Sequence, residues 1–140
     1  MTHRLYLGLG SNIGDREGTI RRALNLIGQH IGTIEKTSSF YETQPWGFES
    51  QHLFINAVAQ VSTLLSPHEC LVQTQQIERQ LGRKQKSTNG QYHDRTIDID
   101  LLLYDDLHIE SPDLVIPHPH IWERDFVRIP LKEINPALCS

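Results

Sequence analysis

Phe54-Ile-Asn-Ala-Val-Ala-Gln-Val61 is followed after a short gap by Ser66-Pro-His-Glu69, and the two segments together predict a strand leading into a helix. The first segment alternates imperfectly between apolar and polar residues, which is typical of a strand with one open face. The second is a complete helix start: Ser66 can accept a hydrogen bond from the Glu69 amide, proline holds the first helical position, and Glu69 reaches back to close a capping box.

The elements before this pair are a strand, a helix and a second strand. The apolar residues 5–9 predict a strand that stops at a loop over residues 10–14, after which Asp15 can cap a helix. Its apolar positions have helical spacing: Ile20, Ala23, Leu24 and Ile27. A strand from Ile34 to Tyr41 follows and is broken by Gln44-Pro-Trp-Gly47.

After the pair, the helix continues to Gly82, and the Arg83 to Arg95 segment contains no aliphatic residue and predicts a mobile loop. A fourth strand is predicted over residues 96–104, with a short return at 107–109 and one short helix near residues 124–129. The resulting order, β-α-β-β-α-β plus a C-terminal extension, predicts an α+β, ferredoxin-like fold: an antiparallel sheet covered by helices.

Length and composition indicate that residues 1–140 form one domain with its own hydrophobic core. The chain is 38% apolar and 21% charged, and a chain of this length buries roughly two-thirds of its unfolded surface. Its formal charge of -4 argues against general nucleic-acid or anionic-membrane binding. The two cysteines, Cys70 and Cys139, are expected to be free thiols in a reducing compartment. We also expect the protein to be cytoplasmic and a monomer. No apolar run is long enough to suggest a signal peptide or a membrane span.

The strongest chemical signal is Arg95-Thr-Ile-Asp-Ile-Asp100. Residues two apart on a strand share a face, so Asp98 and Asp100 project together while Ile97, Ile99, Leu101 and Leu103 line the other side. Two carboxylates roughly 7 Å apart favour a hard cation, and Mg²⁺ uses one or two protein carboxylates and completes its shell with water and phosphate. The alternative is the solvated face of an amphipathic strand.

Basic residues concentrate in the loop that leads into this strand. Arg83 and Arg95 lie at its two ends, and Lys84 and Lys86 lie near Arg83. A metal-binding pair beside a basic loop is typical of phosphoryl transfer, and such a loop can close over a nucleotide and exclude water. The alternative is an ordinary solvated loop. Gly8-x-Gly10-x-x-x-Gly14 does not match a dinucleotide motif, and no P-loop occurs, so these glycines predict a tight turn into the first helix.

Two smaller groups can recognise ligands. His118 and Arg124 can donate hydrogen bonds to phosphate oxygens, whereas the His118-Pro-His120 pair is a weak zinc motif because it has no third ligand. Trp46, Phe54 and Phe126 are aromatic residues in polar surroundings. Together with Asn56, whose amide both donates and accepts, they suit a flat heterocycle. Core packing is the alternative for each aromatic side chain.

Taken together, these segments resemble the 6-hydroxymethyl-7,8-dihydropterin pyrophosphokinase family of folate biosynthesis. The resemblance runs almost end to end, and the ordered set of segments makes it specific. The segments are Gly10-Ser-Asn-Ile-Gly-Asp15, Ser39-Phe-Tyr-Glu-Thr-Gln-Pro-Trp-Gly47, Phe54-Ile-Asn-Ala57, Ile77-Glu78, Leu81-Gly-Arg83, Arg95-Thr-Ile-Asp-Ile-Asp100, Ile116-Pro-His118, Arg124-Asp-Phe126 and Pro130-Leu131.

The resemblance implies transfer of diphosphate from MgATP to the pterin hydroxymethyl group, leaving AMP, with two Mg²⁺ ions held by Asp98 and Asp100. It implies that Phe54 and Phe126 sandwich the pterin while Asn56 and the backbone from Thr43 through Pro45 to Trp46 read its polar edge. It also implies that Arg83 and Arg95 serve turnover. The implied ATP contacts are Gln75, Glu78, Arg83, Leu101, Val115, His118 and Arg124.

The chain departs from the family pattern in its long loop. A Trp-Gly-Pro-Arg segment common before the Asp-x-Asp strand is absent, and Tyr92 is the candidate replacement for its tryptophan. Gln85 stands where many members carry a further arginine, which leaves open which cation grips the phosphates. Two other classes compete with the enzyme: a ligand-sensing module of the same fold, and an RNA-binding domain, which the net charge disfavours.

Overall fold

Seven strands and three α-helices make up the part of the chain that the computed structural model describes, residues 2–43, 53–82 and 97–139. The strands are β1 (His3–Ser11), β2 (Gly32–Thr37), β3 (Tyr41–Thr43), β4 (Phe54–Thr63), β5 (Asp98–Tyr104), β6 (Ile109–Glu110) and β7 (Val115–Ile116). The helices are α1 (Arg16–His30), α2 (Pro67–Gln80) and α3 (Asp125–Ile134), and a 3₁₀ helix follows at Pro136–Cys139.

The main sheet has the order β2-β4-β1-β5, with β3 also paired to β4. Every pairing in it is antiparallel, which confirms the predicted combination of an antiparallel sheet with helices. Because β1 and β2 both run against β4, they are parallel to each other, and α1 connects them past the strand that lies between. β6 and β7 form a separate two-stranded sheet, so the return predicted at 107–109 begins later, at Ile109, and continues to Glu110.

Both faces of the main sheet are covered by helices. On one face, α1 and α2 pack against alternate strand residues such as Leu7 and Val61. On the other, α3 packs through Val127 and Leu131 onto a smaller cluster from the central strands. The open face expected for residues 54–61 is therefore wrong. Asn56 and Gln60 are each only 6% exposed, because α3 covers that side of β4.

The capping signals position both long helices as predicted. The Asp15 side chain accepts from the Gly18 amide at the start of α1, in a turn where Gly14 has a φ of +70°. Ser66 and Glu69 form the reciprocal capping box of α2. Helix α3 is longer than predicted: it continues past its internal Pro130 to Ile134 because Val127, Pro130, Leu131 and Ile134 form one buried stripe.

Three strand predictions need correction. β1 continues through Gly8 and Gly10 to Ser11, so these glycines belong to a strand and the turn begins after it. The strand predicted from Ile34 to Tyr41 is two strands, β2 and β3, which pair with different parts of the longer β4. A register shift between β1 and β5 also places Leu103 with the α3-side cluster, opposite to the face predicted from alternation.

Some predictions lie outside the described residues: the roles of Pro45, Trp46, Arg83 and Arg95, and the loop that contains Tyr92. Cys70 is buried and free, and burial raises the pKa of its thiol to about 11. The side chain of Cys139 is not among the described ones. Within the described ranges, no helix has the length and apolar character needed to cross a membrane.

Candidate functional site

Two rows of residues cross the sheet on the α3 side and define the candidate site. In one row, Asn56 of β4 pairs with Gly10 of β1, and Gly10 pairs with Asp98 of β5. In the next, Gly8 pairs with Asp100. Directly paired residues point to the same face, so an amide and two carboxylates face α3 across a strand that contributes no side chain there. Two interstrand spacings separate Asn56 from Asp98, about 10 Å.

The two glycines leave a trough along β1. A Cβ atom at Gly10 would lie 2.8 Å from Asn56 Oδ1 and 3.4 Å from the Phe54 ring, so no side chain can occupy that position without displacing its neighbours. At Gly8 the atoms nearest to an added Cβ belong to the Leu102 side chain, at 3.4 Å, which is ordinary contact. Glycine inside a strand commonly marks a close approach of a ligand or backbone. The prediction of a loop from Gly10 onward did not use this signal.

One wall of the trough is polar and aromatic. The Asn56 amide donates from Nδ2 to Thr43 Oγ1 at 2.5 Å, which fixes the amide and leaves Oδ1 beside Gly10. Phe54 pairs directly with Thr43 and lies two residues from Asn56, so its half-buried ring faces the same side of the sheet. The predicted pterin contacts Thr43, Phe54 and Asn56 are thus adjacent in the structure.

The opposite wall is acidic. Asp98 and Asp100 are half-buried on the α3 side of β5, while Ile97, Ile99 and Leu101 are buried on the other side, as the alternation predicted. The described residues hold no group of three or more His, Cys, Asp or Glu side chains placed to bind a metal. A carboxylate pair without a third protein ligand suits Mg²⁺, which keeps several waters and takes up substrate phosphates.

His118 and Arg124 lie next to this acidic wall. The His118 amide donates to the Leu102 carbonyl of β5 at 3.0 Å, and its Nδ1 accepts from the His120 amide at 3.3 Å, which leaves the ring proton on Nε2. Burial lowers the pKa of His118 to about 4; Arg124 and His120 contribute in the same direction, and Asp98 opposes them. The imidazole is therefore a neutral N–H donor at neutral pH.

Phe126, in the first turn of α3, lies on the same side of the sheet as the site. Its half-buried ring packs against the α3-side core cluster, and the Arg124 guanidinium lies 5.5 Å from the ring centroid. This cation–π contact holds the arginine next to the aromatic ring. Phe54 and Phe126 consequently lie on the same side of the sheet, on strand and helix respectively.

The other predicted ATP contacts lie on β5 itself or on α2 and β7, which both contact β5. Glu78 of α2 is 6% exposed, and its Oε2 accepts from the Ile99 amide at 2.8 Å, between the two aspartates in sequence. Gln75 lies half-buried one turn earlier on α2. The Leu101 side chain is 4% exposed in the core, so only its backbone is available to a ligand, and Val115 is 39% exposed on β7.

Two contacts that hold β3 next to the site were not predicted from the sequence. Glu133 of α3 accepts from the Tyr41 hydroxyl at 2.5 Å and from the amide and hydroxyl of Ser39, both at 2.9 Å. The hydrogen bond from Tyr41 lowers the pKa of Glu133, and the same bond raises that of Tyr41. At the other end of β3, Arg16 contacts Glu42. No pattern in the sequence pairs residues so distant along the chain.

Comparison with known proteins places this chain in a family. The family model for 7,8-dihydro-6-hydroxymethylpterin-pyrophosphokinase (HPPK) matches residues 6–136. The chain is 51% identical over 135 residues to the 2-amino-4-hydroxy-6-hydroxymethyldihydropteridine pyrophosphokinase of Porphyromonas gingivalis, covering 96% of this chain and 92% of the relative. The protein of the same name from Bacillus subtilis is 47% identical over 135 residues, covering 96% of this chain and 79% of the relative.

Solved structures support the fold independently. A crystal structure of a Plasmodium falciparum HPPK-DHPS superposes with a TM-score of 0.80 at 18% identity, over 97% of this chain and 42% of that one. At this level of identity the likeness concerns the fold alone.

Proposed function

The chain belongs to the 7,8-dihydro-6-hydroxymethylpterin-pyrophosphokinase family, and we propose that the two walls of its glycine-floored trough bring ATP and the pterin together. The protein is an ATP-dependent diphosphotransferase of folate biosynthesis. In its reaction, the hydroxymethyl oxygen of 6-hydroxymethyl-7,8-dihydropterin attacks the β-phosphorus of ATP. A bond from that oxygen to the β-phosphorus forms, and the bond to the bridging oxygen of AMP breaks. AMP leaves with that oxygen, and the hydroxyl proton passes to solvent.

One observation carries the assignment of the site. The carboxylates of Asp98 and Asp100 and the amide of Asn56 face the same side of the sheet, separated only by glycine. The carboxylates lie on one side of the glycines, and the Asn56 amide lies beside the Phe54 ring on the other. The half-burial of Asp98 and Asp100, with His118 close enough to feel the charge of Asp98, also favours a metal site over a solvated strand face.

Mg²⁺ is the metal that suits this carboxylate pair, and we propose that Asp98 and Asp100 hold two ions together with the ATP phosphates. When bound, such ions neutralise phosphate charge and lower the proton affinity of the acceptor hydroxyl. The protein supplies the two carboxylates on a strand whose position is fixed from behind by Glu78. No side chain needs to act as a general base in this scheme.

The ATP side uses donors on both sides of β5. His118 donates from Nε2, and Arg124 adds a permanent positive charge. We assign Gln75, Glu78, the Leu101 backbone and Val115 to the nucleoside end, because α2 and β7, which carry three of them, both contact β5. Arg83 and Arg95 complete the proposal as the loop cations that serve turnover.

The pterin side uses one ring from each layer. Phe54 on β4 and Phe126 on α3 are proposed to stack on opposite faces of the heterocycle. Asn56 reads its polar edge, since the bond to Thr43 commits Nδ2 and leaves Oδ1 for a ring N–H. The backbone from Thr43 through Pro45 to Trp46 is proposed to contact the same polar edge of the pterin.

The test is AMP formation from MgATP and 6-hydroxymethyl-7,8-dihydropterin by wild type, Asp98→Asn and Asp100→Asn. Each substitution is expected to lower kcat/KM by more than about 100-fold, because metal-based charge stabilisation is worth several kcal/mol. Asp106→Asn, an exposed carboxylate beyond the end of β5, is the matched control and should behave as wild type. Near-normal turnover in both site variants would refute the metal assignment. ATP binding by wild type without AMP formation would instead favour the sensing module.

The finer structural expectations belong to the same proposal. We assign the order β2-β4-β1-β5, with α1 and α2 on one face, to the ferredoxin-like plan. Residues 1–140 are taken as one pyrophosphokinase domain acting as a cytoplasmic monomer on two small-molecule substrates, with no nucleic-acid or membrane partner.

A further inference from the structure

We infer that Arg16, which lies outside every motif considered above, is a positioning residue for the pterin wall of the trough. Its guanidinium donates from Nη1 to the Leu53 carbonyl at 2.8 Å and contacts Glu42 Oε2 from Nη2 at 3.0 Å. One side chain therefore joins the middle residue of β3 to the residue that precedes β4. The inference rests on the proposed function, because it assigns Thr43, Phe54 and Asn56 to the pterin.

The start of α1 holds Arg16 in place. Asp15 caps the helix through the Gly18 amide, and its carbonyl accepts from both the amide and the hydroxyl of Thr19 at 2.8 Å. Arg16 is the first residue of α1, so the helix fixes the position of the backbone from which its side chain extends. Only 30% of that side chain is exposed.

The contacts of Arg16 lie beside the residues proposed to read the pterin. Glu42 precedes Thr43, Leu53 precedes Phe54, and Thr43 and Phe54 form the last registered pair of the β3–β4 ladder. Thr43 in turn accepts from the Asn56 amide. A displacement of β3 at this end would therefore move the threonine that orients Asn56 and alter the side chains facing the pterin.

β3 depends on such contacts because it is short. It has three residues and pairs only with β4, so its ladder alone holds it weakly. Glu133 holds the Tyr41 end from α3, and Arg16 holds the Thr43 end from α1. The Arg16–Glu42 pair is substantially exposed, since Glu42 is 51% accessible, so we expect it to contribute little to global stability. Its effect should be on local geometry.

A lysine cannot replace this arginine fully. The planar guanidinium reaches a carbonyl and a carboxylate with separate nitrogens in a fixed arrangement, whereas an ammonium group is a single point charge. Arg16→Lys should keep part of the attraction to Glu42 and lose the defined geometry to Leu53. Arg16→Gln should lose the ion pair entirely.

The experiment measures kcat, KM for the pterin and KM for MgATP in wild type, Arg16→Gln, Arg16→Lys and Glu42→Gln. Arg16→Gln should raise the pterin KM about three- to tenfold, the range expected for one hydrogen bond, with kcat and the KM for MgATP within about twofold of wild type. Arg16→Lys and Glu42→Gln should give smaller increases. Arg22→Lys is the control, because Arg22 is an exposed residue of the same helix that donates to Thr19 within it.

Each outcome discriminates. A merely structural role would lower the active fraction, and therefore kcat, without separating the two KM values. Equal changes in both KM values, or an unchanged pterin KM in folded Arg16→Gln, would overturn the inference while leaving the proposed function intact. If Arg16→Gln does not fold, Arg16→Lys gives the same test with a smaller expected shift. Absence of AMP formation by wild type would instead refute the proposed function.

Discussion

Filling the trough at Gly10 should weaken pterin binding more than it weakens the fold. In Gly10→Ala the new Cβ would lie 2.8 Å from Asn56 Oδ1, closer than real Cβ contacts reach. The Asn56 amide cannot retreat freely because Nδ2 is bonded to Thr43 at 2.5 Å. Displacing an amide held in this way costs about 1–2 kcal/mol, so the pterin Kd should rise about five- to thirtyfold.

The assay is calorimetric titration of 6-hydroxymethyl-7,8-dihydropterin in the presence of a non-hydrolysable MgATP analogue, with urea unfolding as the measure of stability. Gly8→Ala is the matched control, because the atoms nearest to its Cβ would belong to Leu102 at 3.4 Å, an ordinary van der Waals contact. The change is repeated in an Asn56→Ala background, where Gly10→Ala should add little further loss if the clash with the amide carries the effect. Wild-type pterin affinity in folded Gly10→Ala, or an equal loss in both backgrounds, would refute the reasoning.

Other predictions concern stability. Gly28→Ala should stabilise the protein by about 0.5–1 kcal/mol in thermal or urea unfolding, because Gly28 is exposed in α1 and a Cβ there meets nothing within 4 Å. Gly32→Ala should destabilise it by about 1–3 kcal/mol in the same assay, because its Cβ would lie 2.1 Å from the Ser62 carbonyl oxygen. The pKa of Glu133 is lowered in the folded state. The ionised Glu133 therefore adds to the free energy of unfolding above its unfolded pKa, and this stabilisation is lost as the pH falls through the folded pKa. Urea unfolding between pH 7 and pH 3 should therefore show a weaker acid-induced loss of stability in Glu133→Gln than in wild type.

Local signals in the sequence accounted for the helix starts and for the acidic pair. Asp15 and the Ser66–Glu69 box act within one helical turn, so their sequence spacing is sufficient to predict them. The shared face of Asp98 and Asp100 follows likewise from the two-residue period of a strand. The prediction of that face is confirmed.

Features that depend on contacts between distant segments were missed. The cover of β4 by α3 could not be read from the alternation of residues 54–61, because an amide such as Asn56 fits that pattern whether it faces water or a helix. The register shift that moves Leu103 arises where β1 meets β5, and Arg16 acquires its role only when α1 reaches β3 and β4. Nothing along the chain encodes these pairings locally.

The hydrogen bond between Glu78 and Ile99 also bears on self-association. β5 ends the order of strands in the main sheet, and exposed strand edges are templates on which other chains add strands and aggregate. Here the outward amide of Ile99 is occupied by Glu78 and the outward carbonyl of Leu102 by the amide of His118. An incoming strand would have to displace both contacts, so this edge is guarded against intermolecular β-pairing by groups that also serve the site.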